Sequence, residues 1–170
     1  HSRAVVLRTG GLRNGVEVGP DDDVPGGRVE PRTLGDHVGA VYDGKIRVPI
    51  RDKAGNILPE DELTRRLYHE YTHVIVRSWA GEKVPWWFNE GLAETFSNEL
   101  GETELAVLRE ANAQGLLFKL AELEQGQLKK LDTDALHLAY QQAHATVGFL
   151  WGKYGVRGLS AMLENLRLDN

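Results

Sequence analysis

Leu67-Tyr68-His69-Glu70-Tyr71-Thr72-His73-Val74-Ile75-Val76 decides how the rest of this 170-residue chain is read. Pro59 lies upstream of it and suits the first turn of a helix, where its missing N–H costs nothing. Gly81 lies downstream and suits a helix end. The spacing therefore predicts one helix from Pro59 to about Ala80. Its second half is apolar on most sides (Val74, Ile75, Val76, Trp79), the pattern of a centrally buried helix. On such a helix residues four apart share a face, so the imidazoles of His69 and His73 can reach one metal ion. Neutral imidazole suits Zn²⁺, at about 2.0–2.1 Å. Glu70 is close enough to touch a metal-bound water without ligating the metal. This is the H-E-x-x-H arrangement. The plainer alternative is an ordinary helix carrying two satisfied histidines.

A catalytic zinc site needs a third protein ligand and one open position. The metzincin continuation would place Gly at 76 and His at 79; Val76 and Trp79 stand there and exclude that class. The next candidate is Glu90, in Trp87-Phe88-Asn89-Glu90-Gly91-Leu92-Ala93-Glu94. A carboxylate near the start of the following helix can cross an antiparallel helix pair and complete the site. Glu94 lies one turn further on the same face. It is placed to accept the free ring N–H of a ligating histidine, His69 in the first instance, and so fix its tautomer. A solvated helix face is the alternative, although carboxylates four apart repel.

His69–His73 followed by Trp87–Glu94 resembles the gluzincin zinc peptidases, and within them the bacterial peptidase-MA-like domains with their W-x-x-E-G-L-A-E pattern. The resemblance covers roughly residues 38–165. It implies a zincin-like α+β fold, with a small N-terminal antiparallel sheet, an edge strand over the cleft and a mainly helical C-terminal part. It implies Zn²⁺ as cofactor, held by His69, His73 and Glu90, with Glu70 as general base and Glu94 behind the ligands. A peptide or protein would be the substrate, and an extracytoplasmic setting is favoured. Glu rather than Asp at 94 departs from thermolysin but agrees with the peptidase-MA-like pattern. Gluzincins of this type also bring a tyrosine hydroxyl to the oxyanion from a helix downstream. Tyr140, in Ala139-Tyr140-Gln141-Gln142-Ala143-His144, is the candidate, the alternative being a tyrosine packed on the core. His144, one turn on, could line the same cleft or simply pack. Aminopeptidases of the group carry a G-x-M-E-N stretch whose Glu holds the substrate amine. Gly39-Ala40-Val41-Tyr42-Asp43 puts Tyr42 at that place, which favours an endopeptidase. A latent or non-catalytic zinc-binding module of a larger protein is the rival reading; the intact Glu70 speaks against it.

The remaining chain is consistent with one domain, residues 1–58 rich in β and loop signals and 59–170 helical. Ala4–Arg8 reads as a strand with Val16–Val18 as a possible partner. Val38–Tyr42, Asp43-Gly44 and Lys45–Ile50 read as a hairpin with a type I′ turn. Asp21-Asp22-Asp23 lacks the spaced ligands of a calcium loop. Helices are predicted from Pro85 to near Gly101, over Glu102–Gln114, from Thr133 to Tyr154 with Gly155 as the stop, and over Gly158–Leu168. Leu116–Lys130 is mixed. Trp86, Trp87 and Phe88 read as core residues, or as walls of a side-chain pocket. His37 and His137 have no ligand-spaced partner. The chain has no cysteine, which excludes disulfides, thiolate metal sites and a cysteine nucleophile. Its net charge of −5 and lack of a dense Lys/Arg cluster argue against nucleic acid. No apolar run is long enough to cross a bilayer. The start at His1-Ser2 rather than Met reads as a piece of a longer chain.

Overall fold

A computed structural model describes residues 4–8, 45–52, 54–81, 83–124 and 128–168 of the chain. It forms two compact units, residues 1–70 and 71–170. The division falls inside a helix that is itself continuous.

In the first unit, β1 (Ala4–Arg8) pairs antiparallel with β2 (Lys45–Pro49), in a register from Ala4↔Pro49 to Arg8↔Lys45. Among the described residues the partner of β1, for which Val16–Val18 is a candidate by sequence, is β2. A five-residue strand finds five partners there, and Ile46 and Val48 alternate along β2 as buried side chains. Val16–Val18 itself, the expected hairpin arm Val38–Tyr42 and its turn Asp43-Gly44 lie outside the described residues. Beyond β2 the chain turns back tightly. Asp52 bonds the backbone and side-chain nitrogens of Asn56, at 2.8 and 3.0 Å, and Arg51 bridges to Ile57.

Helix α1 (Glu60–Ala80) begins where Pro59 predicts, with the Leu63 N–H on the Pro59 carbonyl at 3.0 Å. Glu60, Asp61 and Glu62 fill its first turn and Arg77 its last, which suits the helix dipole. Gly81 ends it at φ 81°, donating to the Arg77 carbonyl. Helix α2 (Trp86–Ser97) follows Pro85 and stops short of the expected Gly101. Asn98 turns extended, and its N–H closes on the Glu94 carbonyl at 2.9 Å. Helix α3 (Glu102–Ala113) ends at Gly115, φ 70°. The mixed stretch after it carries a 3₁₀ turn, Leu120–Glu122. Its extended part is tied to the last helix by Gln142, whose amide accepts from the Phe118 N–H and donates to the Phe118 carbonyl, at 2.9 and 2.7 Å. Helix α4 (Thr133–Leu168) is broken at Gly155, whose φ 60°, ψ −166° no side-chain-bearing residue adopts without strain.

The core of the second unit has two parts. Val76 and Ala80 of α1, Phe88 and Leu92 of α2, and Val147, Leu159 and Leu163 of α4 form one cluster. Leu123, Leu128 and Ala139 form the other, flanked by Trp86, Trp87, Phe118 and Leu136. Trp86 and Trp87 are thus mainly core residues. The tightest helix crossing is that of α2 on α4. A Cβ at Gly91 would fall 2.5 Å from both the Ala143 carbonyl oxygen and Val147 Cγ2. Helix propensity alone favours Ala over Gly by about 1 kcal/mol. Gly91→Ala should nevertheless lower the melting temperature by several degrees, because overpacking costs about 1–3 kcal/mol. A melting curve equal to or above wild type would show that the crossing can relax.

Candidate metal centre

Helix α1 carries His69 and His73 one turn apart, and α2 carries Asn89 and Glu90 at its start. The sequence sets both pairs. The i, i+4 spacing aligns the histidines, and the Pro85 carbonyl accepts the Phe88 and Asn89 N–H groups, winding the first turn of α2. The buried Phe88, Leu92, Val76 and Ala80 then dock α2 on the second half of α1.

His73 shows the arrangement most fully. Its Nδ1 lies 3.0 Å from Asn89 Oδ1. An amide oxygen only accepts, so Nδ1–H donates and the Nε2 lone pair is left to bind. Nε2 lies 3.6 Å from Glu90 Oε2. That is long for a hydrogen bond. Two donors on one tetrahedral ion at about 2.0–2.1 Å would stand roughly 3.3 Å apart, so the spacing suits a shared metal. One ligand atom from each of His69, His73 and Glu90 falls within 4.8 Å of the others, and all three residues are half-buried. Two imidazoles and a carboxylate, with no fourth protein ligand among the described residues, make a donor set that fits a divalent cation and keeps a position open.

Glu70 follows His69 on α1 and is half-buried. Glu94 is half-buried one turn beyond Glu90. Tyr140 stacks edge-on against Trp86, ring centroids 4.9 Å apart at 80°, which brings it to the start of α2. His144 is only 7% exposed. Burial lowers its pKa from the ordinary histidine value, while the carboxylates of Glu94 and Glu104 pull the other way. Tyr42 and His37 lie outside the described residues, and His137 is exposed.

Asn89 is the residue beside the candidate ligands that sequence reasoning passed over. Its signal is weak but real: a side-chain amide next to a ligand carboxylate can turn to the imidazole that shares the ion.

Residues 60–169, well over half of the chain, match the family model described as the Peptidase MA superfamily. No curated protein and no solved structure matched the chain. Among the described residues no helix is long and apolar enough to cross a membrane.

Asn89→Ala should weaken metal binding about 10–100-fold, the usual cost of losing a group that orients a ligand imidazole. Competition against a chromophoric chelator measures this. An unchanged dissociation constant would show that the Asn89 hydrogen bond does not matter to the centre.

Proposed function

Because this chain belongs to the peptidase MA superfamily, we propose that it is a zinc metallopeptidase that hydrolyses internal peptide bonds. The observation that carries this reading is the convergence of His69, His73 and Glu90 on one point. Within the reading these three hold Zn²⁺, Glu70 is the general base, Glu94 takes the free ring N–H of His69, and the architecture is zincin-like.

When bound, zinc supplies Lewis acidity, which acidifies water and polarises the scissile carbonyl. The Glu70 carboxylate accepts the proton of the attacking water. It then hands that proton to the departing amine, so the peptide C–N bond breaks and the general base is restored. The Tyr140 hydroxyl donates to the oxygen of the attacked carbonyl as negative charge builds there. Asn89 keeps the His73 ring turned with Nε2 inward throughout. Tyr42, at the place where a carboxylate would pair with a free α-amine, argues for an endopeptidase.

Glu70→Gln should bind zinc as wild type does and lose hydrolysis of an internally cleavable peptide. Wild-type cleavage by that variant would overturn the hydrolytic reading, and loss of zinc would make Glu70 a ligand. In the same assay an acetylated N-terminus should be tolerated; strict dependence on a free amine would mean an aminopeptidase. Tyr140→Phe should lower kcat about 10²–10³-fold with KM little changed, since a donor aimed at developing charge acts on the barrier. Wild-type turnover in Tyr140→Phe would move the oxyanion donor to another group.

A further inference from the structure

The break at Gly155 makes a corner in α4 between two buried anchors, Val147 before it and Leu159 after it. Between them the large side chains turn outward. Phe149 is 63% exposed, Trp151 38%, Tyr154 48% and Val156 62%. A helix of a globular protein hides such residues against a neighbour. Here a Cβ added at Gly148, Gly152 or Gly155 would meet nothing within 4 Å. Among the described residues, no other element comes against the helix at those three positions.

The apolar groups of the corner do not form one stripe. Residues two apart on a helix do not share a face, so Phe149 points away from Trp151. Trp151 meets the Phe96 ring of α2 edge-on, centroids 5.0 Å apart, and Phe96 is itself exposed. The Lys153 ammonium lies between two rings, 5.5 Å from the centre of Phe149 and 5.2 Å from that of Tyr154. A protein groove reads one face of a helix. Apolar groups on opposite faces of one exposed corner suit a fluid medium that closes around it.

Charge points to the same medium. Residues 135–163 contain no Asp or Glu, although the chain has 25 of them and a net charge of −5. The corner carries two cations, Lys153 and Arg157, both exposed. Exposed aromatic rings bordered by cations settle at the headgroup level of a bilayer, with ring bodies at the acyl boundary and charged ends at the phosphates.

We propose that the Gly155 corner of α4 docks the protein on a membrane surface rich in anionic lipid. Phe149, Trp151, Tyr154 and Val156 enter the headgroup–acyl boundary, and Lys153 and Arg157 meet the lipid phosphates. The corner lies in the surface and does not cross the bilayer. The acidic remainder of the chain is repelled by the same surface, so the contact also fixes an orientation. Tyr140 stands toward the other end of this arm, about 14 Å along the helix axis from Phe149. Docking therefore leaves the candidate metal centre outside the bilayer. No part of the docking uses the metal, so the proposal stands apart from the peptidase reading.

The test is sedimentation of the whole chain with vesicles of mixed phosphatidylcholine and phosphatidylglycerol, against vesicles of phosphatidylcholine alone. Binding should be about tenfold or more stronger to the anionic vesicles and should fall as salt is raised. Lys153→Gln combined with Arg157→Gln should weaken it about thirtyfold. Phe149→Ser combined with Val156→Ser should weaken it about tenfold or more. Leu116→Ser removes a comparably exposed apolar side chain elsewhere, 57% exposed, and should bind as wild type does. Melting curves separate loss of docking from loss of fold; should the serine pair fail to fold, the glutamine pair decides. Absence of wild-type binding to the anionic vesicles overturns the proposal. So does equal binding to neutral vesicles, wild-type binding by either folded double variant, or weakened binding by Leu116→Ser. A solution dimer that Phe149→Ser dissolves, without vesicle binding, overturns it as well and assigns the corner to a second copy of this chain.

Discussion

Two imidazoles on one helix can always be aimed at a common point; the third donor has to be brought there by packing. In this protein that packing depends on the contact between Gly91 and the Ala143–Val147 turn of α4. With no side chain at Gly91, the backbones of α2 and α4 approach until Ala143 and Val147 occupy the space a Cβ would need. Glu90 directly precedes that contact, so its position is set by backbone-to-backbone approach rather than by a flexible stem. The same crossing places Tyr140 against Trp86.

What the sequence made legible was local. Pro59 and Gly81 bound α1 because ring geometry and positive φ act on their own residues, whatever the rest of the chain does. Gly155 broke α4 for the same reason. The i, i+4 histidines needed only helical periodicity. What stayed hidden was set by partners distant in the chain. Asn98-Glu99-Leu100 carries no helix breaker, yet α2 ends at Ser97 and Asn98 turns extended. The pairing of β1 with β2 joins segments far apart in sequence, and short apolar stretches nearby look equally suitable. Asn89 could be read as a surface amide until the His73 ring was placed 3.0 Å away.

The polar residues around the centre divide by how they are held. His73 is fixed twice, by its helix and by the Asn89 amide, so its tautomer is chosen before any ion arrives. Preorganisation of this kind lowers the ordering cost that binding would otherwise carry. Gln142 does for Phe118 what a neighbouring strand would do, satisfying both backbone groups of one residue in an extended stretch. Phe118 also packs against the cluster of Leu123, Leu128 and Ala139, so the stretch is held by both polar and apolar contacts.

Gly155 has a consequence for the distribution of strain along the chain. The arm of α4 before it packs on α2 through Ala143 and Val147, and the arm after it brings Leu159 and Leu163 into the cluster that also holds Val76 and Ala80 of α1 and Phe88 and Leu92 of α2. On that second arm Glu164 pairs with Arg167. A single element, hinged at one glycine, therefore clasps both helices that bear the candidate ligands. Force applied at the C-terminus, by a tether, a fused domain or a unidirectional unfoldase, would reach the second arm first and loosen that shared cluster while the crossing at Gly91 was still held.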